Sequence, residues 1–210
     1  MTKAQHINRV KNTLYSEDEL YRRMGELSFI EDDELRSSVV RTFMDGCPDY
    51  FWSRPTSSSG KYHPHDECGE FGNLIHTKRV FAEYENISRS YVEAEIITEY
   101  ERECGMAAAL IHDMLKYGWP SDQNEHTVSN HDLIGGDVAR HIGETPELVA
   151  RLVEVHNGPW ADGPEPETQH EWLFHTADMS AAGVREDRRA IHHVSDEVLE
   201  EWPDLNLIDA

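Results

Sequence analysis

Signals for the starts and ends of helices dominate the pattern of apolar and polar positions along this chain, and no stretch shows the strict alternation of a strand. The run Ser16-Glu17-Asp18-Glu19 has the form of a capping box and predicts a helix toward Leu27. A second helix is predicted from about 32 to 44, with Gly46 as its stop. Further helices are predicted from Gly72 onward and at about 91–103, 105–117, 130–142, 146–156 and 168–182.

The ends of the later helices carry recognisable signals. Thr145-Pro146 predicts an N-cap followed by proline at the first helical position, and Asn157-Gly158-Pro159 predicts a firm stop. Ser195 predicts a short terminal helix that ends before Pro203. With no repeat and no low-complexity tract, the chain is predicted to be all-α, a single helical bundle.

The segment from Cys47 to Phe71 interrupts the helical pattern and is rich in Pro, Ser, Gly and His. Loops of this length inside a compact domain are uncommon and often functional. Within it, Arg54, Ser59, Lys61 and Tyr62 are candidate substrate contacts, because hydroxyls, glycine and cations suit a phosphate. The spacing of a P-loop is absent, and a plain surface loop is the alternative.

The net charge of the chain limits the classes of partner that it can bind. The 210 residues contain 41 Asp and Glu against 19 Lys and Arg, which gives −22, and only five residues are lysine. This charge opposes binding to duplex nucleic acid or to an anionic membrane. It favours adaptation to high salt, where screening removes self-repulsion, over an ordinary soluble protein. An anionic substrate therefore needs local positive charge, for which the basic residues near the motifs are candidates: Arg54, Lys61, Lys78, Arg79 and Lys116.

The cysteine content and the hydropathy of the chain indicate its cellular compartment. Three cysteines, Cys47, Cys68 and Cys104, form no Cys-x-x-Cys pair and predict a reducing environment. The N-terminal residues show no apolar signal region, and no apolar run reaches ~18 residues. We therefore expect a cytoplasmic protein with no membrane span, and a homo-oligomer is compatible with the sequence.

The segment with the clearest chemistry is Ala107 to Lys116, in which five apolar residues precede His112 and Asp113. Burying an unpaired aspartate among apolar side chains destabilises the fold by roughly several kcal/mol unless the carboxylate gains a partner. A divalent cation resolves that conflict by binding imidazole and carboxylate together. Lys116 lies one helical turn after His112 and would suit an anion such as phosphate beside the metal.

Other metal-competent residues flank this segment in a specific order. His76 directly follows apolar residues on a predicted helix, and Asp178 lies inside a small-residue helix where an N-cap role does not apply. His131 and His156 lie at predicted helix ends, where histidine is also common for other reasons. The order His…His-Asp…His…His…Asp is more specific than any of its members. It indicates a divalent metal site.

Two histidines leave alternatives open. His126 competes with His131 as the residue that faces the metal, and it is also a candidate substrate contact. His175, three residues before Asp178, shares its helical face and is a candidate second-shell group or substrate contact.

Taken together, these segments resemble the HD-domain superfamily of metal-dependent phosphohydrolases. The resemblance runs from about Tyr62 to Ala182 and is carried by three stretches and a closing aspartate: His112 to Lys116, His131-Asp132-Leu133-Ile134-Gly135, His156-Asn157-Gly158-Pro159-Trp160 and Asp178. Leu115 departs from relatives that carry glycine before the lysine. The resemblance implies an HD-type core at 46–183, with an N-terminal helical extension at 1–45 packed on it and a C-terminal helical tail at 184–210.

The same resemblance implies a ligand set for one or two divalent transition-metal ions. His76, His112, Asp113 and Asp178 would hold one ion, and Asp113 would bridge to a second ion held by His131 and His156. Mixed imidazole and carboxylate ligation suits Mn²⁺, Fe²⁺, Co²⁺, Ni²⁺ or Zn²⁺ better than Mg²⁺.

The function expected from this site is hydrolysis of a phosphoester or phosphoanhydride, with a nucleotide as the favoured substrate. A metal-bridging hydroxide would be the nucleophile, with Asp113 and Lys116 as the catalytic residues. Two alternatives share the ligand pattern: an HD-type di-iron oxygenase, and a noncatalytic nucleotide-binding regulatory module.

Overall fold

A computed structural model describes residues 16–57, 63–119, 124–161 and 163–183. Within these ranges the chain forms seven α-helices and no strand, which confirms the all-α fold class. The helices are α1 Glu17–Arg23, α2 Asp33–Gly46, α3 Gly72–Glu93, α4 Glu99–Ile111, α5 His131–Val138, α6 Glu147–Val155 and α7 Gln169–Ala182.

The first helices begin where their caps predict and differ at their ends. Ser16 accepts a hydrogen bond from the Glu19 backbone N–H and caps α1, and Asp32 caps α2 in the same way. The prediction that the first helix reaches Leu27 was wrong, because α1 ends at Arg23 and a 3₁₀ turn, Gly25–Phe29, follows. That turn keeps Leu27 buried in the core.

The predicted helices at 91–103 and 105–117 were also wrong. The third helix continues to Glu93, and the chain then turns through Glu95, whose φ is +57°. A capping box between Thr98 and Glu101 starts α4, which runs through the predicted break without interruption. It ends at Ile111, so His112 is the C-cap and the following residues form turns.

The later helices agree closely with their predicted bounds. Thr168 caps α7 with a second capping box, and α5 is extended by one π-helical turn, Ala139–Gly143. Pro146 occupies the N-cap of α6, where the sequence predicted Thr145. The terminal helix predicted at Ser195 lies outside the described residues.

The centre of the bundle is α4. It packs against α2, α3 and α6, while α3 also packs against α7, and α5 lies against α6. Every residue from Cys104 to Ile111 is buried. A helix that is apolar on all sides is stable only inside such a bundle. Because α4 is enclosed, its C-terminal end places His112 and Asp113 in the interior.

The N-terminal helices are tied to α3 by a buried ion pair. Nζ of Lys78 donates to both carboxylate oxygens of Glu26, at 2.8 and 2.7 Å, and the residues are 4% and 1% exposed. Removing one partner of such a pair leaves an uncompensated buried charge and is strongly destabilising. Residues 1–15 and 184–210 of the predicted extension and tail lie outside the described ranges.

The irregular segment predicted between Cys47 and Phe71 packs against the end of α4. It contains two 3₁₀ turns, Asp49–Trp52 and His65–Cys68. The Thr56 N–H donates to the Glu67 carbonyl at 2.9 Å, and Tyr50 Oη donates to the Gly118 carbonyl at 2.5 Å. These bonds hold the segment over the residues that follow α4.

None of the described helices combines the length and apolar character needed to cross a membrane.

Candidate metal centre

Five helices converge on one buried cluster of imidazoles and carboxylates. His112 and His156 are the C-caps of α4 and α6, and His131 is the first residue of α5. His76 lies inside α3, and Asp178 lies inside α7. The bundle thus brings together all six residues proposed from the sequence as metal ligands: His76, His112, Asp113, His131, His156 and Asp178.

Asp113 lies between two sets of histidines. Its Oδ1 is 3.1 Å from Nε2 of His131 and 3.4 Å from Nε2 of His156. Its Oδ2 is 3.6 Å from Nε2 of His76 and 3.6 Å from Nε2 of His112. Each oxygen of the carboxylate therefore faces a different imidazole pair, which is the arrangement of a carboxylate that bridges two cations.

Asp178 completes the first set. Its Oδ1 lies 3.0 Å from Nε2 of His76 and 3.8 Å from Nε2 of His112. The donor atoms of His76, His112 and Asp178 all lie within 4.8 Å of one another, and those of Asp113, His131 and His156 meet the same limit. The geometry therefore contains two adjacent three-residue groups, each able to hold a cation.

Three of the histidines have a fixed tautomer. Nδ1 of His112 lies 2.8 Å from the carbonyl oxygen of Ala109. Nδ1 of His131 lies 2.8 Å from that of Val128, and Nδ1 of His156 lies 2.6 Å from that of Val153. A carbonyl oxygen only accepts, so each Nδ1 carries the hydrogen. In the neutral imidazole Nε2 then has the free lone pair, and Nε2 is the atom directed at Asp113 or Asp178.

His131 belongs to the cluster, and His126 is exposed on the surface. Nδ2 of Asn157 lies 3.3 Å from Nε2 of His131, so the amide N–H₂ donates to a nitrogen that carries a lone pair. The same amide lies 3.4 Å from Oδ2 of Asp132. This geometry favours His131 over His126 as the metal-facing residue.

Lys116 contacts Asp113 directly, from a turn and not from a helix face shared with His112. Its ammonium pairs with Oδ2 of Asp113 and donates to Oγ1 of Thr56 at 3.2 Å. Oγ1 of Thr56 also lies 3.5 Å from Oδ2 of Asp113. Thr56 is buried, so the hydroxyl and the ammonium form a small polar group at one edge of the cluster.

The electrostatics of the cluster depend on burial and on these contacts together. Burial lowers the pKa of His112 to about 3, against the pull of Asp113 and Asp178. Burial also opposes charge on His76, yet Glu67 and Asp178 outweigh it and raise the pKa to about 10. Despite burial, the pKa of Asp113 is held well below its usual range by Lys116 and His112. The carboxylate stays ionised and available to cations.

The donor set fits one or two divalent cations. Among the described residues, Oδ1 of Asp113 and Nε2 of both His112 and His156 are buried without a hydrogen-bond partner. Buried polar atoms of this kind are rare and require an explanation. A cation supplies it, because imidazole lone pairs and carboxylates are the ligands of Mn²⁺, Fe²⁺, Co²⁺, Ni²⁺ and Zn²⁺.

The candidate substrate contacts have different surroundings. Arg54 lies with its guanidinium carbon 4.9 Å from the centre of the Tyr117 ring, and it donates to the Asn124 carbonyl at 2.6 Å. His175 is buried, with Nδ1 2.7 Å from the carbonyl of His156. Ser59, Lys61 and Tyr62 lie outside the described residues.

Two basic residues expected to supply positive charge are instead neutralised. Lys78 pairs with Glu26, and Arg79 donates to Glu67 at 2.7 Å and pairs with Asp66. The sequence expectation for these two residues was therefore wrong. Their charges are neutralised by carboxylates, of which Glu26 and Glu67 are buried, and do not extend into the cluster.

Residues that the sequence analysis missed support the cluster from the irregular segment. Glu67 is fully buried, with Oε2 3.1 Å from Nδ1 of His76 and 2.9 Å from Nδ1 of His63. Nδ2 of Asn73 donates to the Asp113 carbonyl at 3.1 Å, and Thr56 contacts Lys116. Because Glu67 and Thr56 come from a segment without periodicity, no pattern distinguished them from ordinary loop residues.

Comparison with known proteins agrees with this geometry. The HD domain family matches residues 73–190, just over half of the chain, and the chain belongs to this family of metal-dependent phosphohydrolases. Ribonuclease Y from Roseiflexus sp. (strain RS-1) is 34% identical over 83 residues, which are 39% of this chain and 14% of that protein. No solved structure gives a significant match.

Proposed function

We propose that this protein hydrolyses a phosphoester or phosphoanhydride bond in a small phosphorylated molecule, a nucleotide being the favoured substrate. Family membership supports metal-dependent phosphohydrolysis in general. The observation that carries the proposal here is the position of Asp113, whose two oxygens face two separate histidine pairs. A carboxylate so placed would serve two cations, and a pair of cations suits phosphoryl transfer.

The proposed ligand set is the one that the geometry groups together. His76, His112 and Asp178 would hold one ion, His131 and His156 would hold the other, and Asp113 would contribute to both. Cations held there would supply Lewis acidity that lowers the pKa of water and neutralises phosphoryl oxygens.

The protein's own residues have distinct tasks in this proposal. The carbonyls behind His112, His131 and His156 hold their Nδ1 hydrogens, so that Nε2 remains a donor atom. Lys116, held by Asp113 and Thr56, would neutralise charge that develops on the phosphoryl oxygens. The near-complete burial of His76 and His112 excludes bulk water from that side.

The position of Lys116 supports the phosphohydrolase. An ammonium beside the carboxylate of Asp113 suits an anionic phosphate group. The matched relative is named as a ribonuclease, and a ribonuclease acts on phosphodiesters. The net charge of −22 opposes long nucleic acid, so we favour a small substrate.

The test is metal analysis combined with a substrate panel. The full chain is purified, loaded in turn with Mn²⁺, Co²⁺, Ni²⁺, Fe²⁺ or Zn²⁺, and assayed on nucleoside mono-, di- and triphosphates and cyclic nucleotides at low and molar salt. Asp113→Asn should lose both metal and turnover, because it removes the shared charged ligand.

Asp132→Asn provides the matched control. Asp132 is equally buried and lies beside His131, but its carboxylate contacts Asn157 and the Leu133 backbone N–H instead of the histidine cluster. This variant should keep at least one bound ion and measurable turnover. Full activity in Asp113→Asn would contradict the site. Tight nucleotide binding without turnover under any metal would support the regulatory alternative, and iron-dependent oxygen consumption would support the oxygenase.

A further inference from the structure

His76 is oriented differently from the other three histidines of the centre. His112, His131 and His156 lie at helix ends, where backbone carbonyls are not used by the helix, and each places Nδ1 against such a carbonyl. His76 lies within the first two turns of α3, which runs from Gly72 to Glu93. The backbone carbonyls one turn away from His76 belong to the hydrogen-bonding pattern of α3 itself or lie at the start of that helix.

A carboxylate occupies the place that a carbonyl takes elsewhere. Oε2 of Glu67 lies 3.1 Å from Nδ1 of His76, and among the described residues it is the acceptor that pairs with this nitrogen. This contact is an ion pair when the imidazole carries both hydrogens. Glu67 and His76 are both fully buried, so water does not substitute for either partner.

Glu67 is itself held on three sides. Nη1 of Arg79 donates to Oε1 at 2.7 Å, and Nδ1 of His63 lies 2.9 Å from Oε2. The backbone carbonyl of Glu67 accepts from the Thr56 N–H at 2.9 Å. A side chain fixed by so many contacts is placed with little freedom to turn away from His76.

The start of α3 is built to approach this carboxylate closely. A Cβ added at Gly72 would lie 2.0 Å from the Glu67 carbonyl oxygen and 3.0 Å from Cα of Pro55. Glycine is therefore required at the first residue of α3 for the turn that carries Glu67 to lie against the helix. His76 is one helical turn further along.

We propose that Glu67 is the positioning residue for His76: its carboxylate holds the hydrogen on Nδ1, so that Nε2 is presented to the metal. This inference rests on the proposed metal centre. A carboxylate behind a ligating histidine fixes the ring and raises its basicity, and loss of such a partner typically lowers metal affinity by roughly 10- to 100-fold. His76 is thus the ligand whose binding depends on a charged partner from the irregular segment.

A competing use of the same residues is a third cation site. The donor atoms of His63, Glu67 and His76 lie within 4.8 Å of one another. A third ion would need Nδ1 of His76 as a lone pair, while the centre described above needs Nε2. A neutral imidazole carries one hydrogen and one lone pair, so both uses require loss of the second proton. We therefore assign Glu67 to support of His76.

The experiment compares Co²⁺ binding in the full-length parent, Glu67→Gln and Asp66→Asn. The last variant is the matched control, because Asp66 pairs with the same Arg79 but does not contact His76. Each metal-free protein is first compared by thermal unfolding, and Co²⁺ is then titrated by its absorption spectrum. We expect Glu67→Gln to bind the ion held by His76 roughly 10- to 100-fold less tightly, and Asp66→Asn to bind like the parent.

The contrary results are equally definite. Equal affinities in parent and Glu67→Gln would overturn the positioning role while leaving the metal centre intact. Equal losses in both variants would show that only the Arg79 network matters. Three Co²⁺ ions per parent chain, with one lost in Glu67→Gln, would make Glu67 a ligand instead. A parent that binds no Co²⁺ would contradict the centre itself.

A measurement on the parent keeps the inference testable if Glu67→Gln does not fold. The protein is labelled with ¹⁵N-histidine and loaded with diamagnetic Zn²⁺, and imidazole nitrogens are observed by NMR. We expect His76 to carry its hydrogen on Nδ1 and to show a slowly exchanging imidazole proton. A hydrogen on Nε2 of His76 would overturn the proposal.

Discussion

Lys116 and Asp113 form an ion pair in which the ammonium contacts Oδ2, the same oxygen that faces His76 and His112. Both side chains are largely buried, at 12% and 1% exposure. A cation bound by Oδ2 would therefore lie close to a fixed positive charge. An anionic substrate between them would relieve the repulsion, so the pair links metal binding with recognition of an anion.

Lys116→Ala tests this link. Turnover should fall by about 10²-fold or more, the scale seen when one transition-state charge partner is removed. Metal content should not fall, because the ammonium competes with the ion for Oδ2. Turnover and bound metal are measured on the same preparation, and full activity on every substrate would remove Lys116 from the catalytic set.

Thr56→Val removes the hydroxyl that holds Lys116 and keeps the shape of the side chain. We expect turnover to fall by roughly 3- to 10-fold with metal content unchanged, since one hydrogen bond to a charged group is lost. Thr56→Ser should restore most of it. The control is Thr42→Val, which removes an equally buried hydroxyl that bonds to the Ser38 carbonyl. A similar loss in both valine variants would show a general effect on stability.

His131→Ala and His126→Ala separate the two histidines that the sequence left open. His131 lies 3.1 Å from Oδ1 of Asp113, whereas His126 is exposed. We expect His131→Ala to lose one of two bound ions and His126→Ala to keep both, as measured by elemental analysis of the purified variants. The reverse result would exchange their assignments.

Much of the fold was predictable because caps are local signals. The predicted cap at Ser16 is confirmed, and the helix starts predicted at about 32 and 168 coincide with the N-caps of α2 and α7. A helix was predicted across 91–103, although Thr98-x-x-Glu101 in the sequence has the form of the capping box that starts α4. The positive φ at Glu95, which turns the chain, has no sequence signal in a glutamate.

The residues of the candidate site were likewise predictable only in part. His112 and Asp113 stood out because a polar pair after an apolar run is unusual, and their neighbours followed from order along the chain. Glu67 acts through contacts with residues up to twelve positions away, and Thr56 through a contact sixty positions away. Tertiary packing alone brings Glu67 and Thr56 to their partners, so the sequence contains no local signal for these contacts.

Stability should depend on pH through His170, which is buried with Nε2 2.7 Å from Oη of Tyr84. Burial lowers its pKa, although Glu101 and Glu171 pull in the opposite direction. The folded state therefore resists protonation while the unfolded chain accepts it below its pKa of about 6.5. Stability from this group is present above that pH and is lost as pH falls toward the folded pKa.

The measurement is the free energy of unfolding by urea between pH 8 and pH 5, for the parent and His170→Gln. The parent should lose more stability over this range, by at most about 1.4 kcal/mol per pH unit from this group. The glutamine variant, which does not titrate, should lose less. Parallel curves would show that His170 does not contribute.

Salt should stabilise the fold if the charge of −22 reflects adaptation to high salt. Screening shortens the range of self-repulsion to about 3 Å at 1 M. We expect the Tm to rise from dilute buffer to molar KCl, whereas the loss caused by Lys116→Ala should persist, because that contact is short and partly buried. A Tm independent of KCl would contradict the salt adaptation alone.

The buried pair of Glu26 and Lys78 has a consequence for how this protein can be divided. A fragment that starts at residue 46, where the extension is proposed to end, would lack Glu26 and retain Lys78 two residues from His76. Its ammonium would face an apolar interior on the helix that carries a ligand. The metal-binding core therefore cannot be moved alone into another scaffold: the 3₁₀ turn Gly25–Phe29, which carries Glu26, must be moved with it.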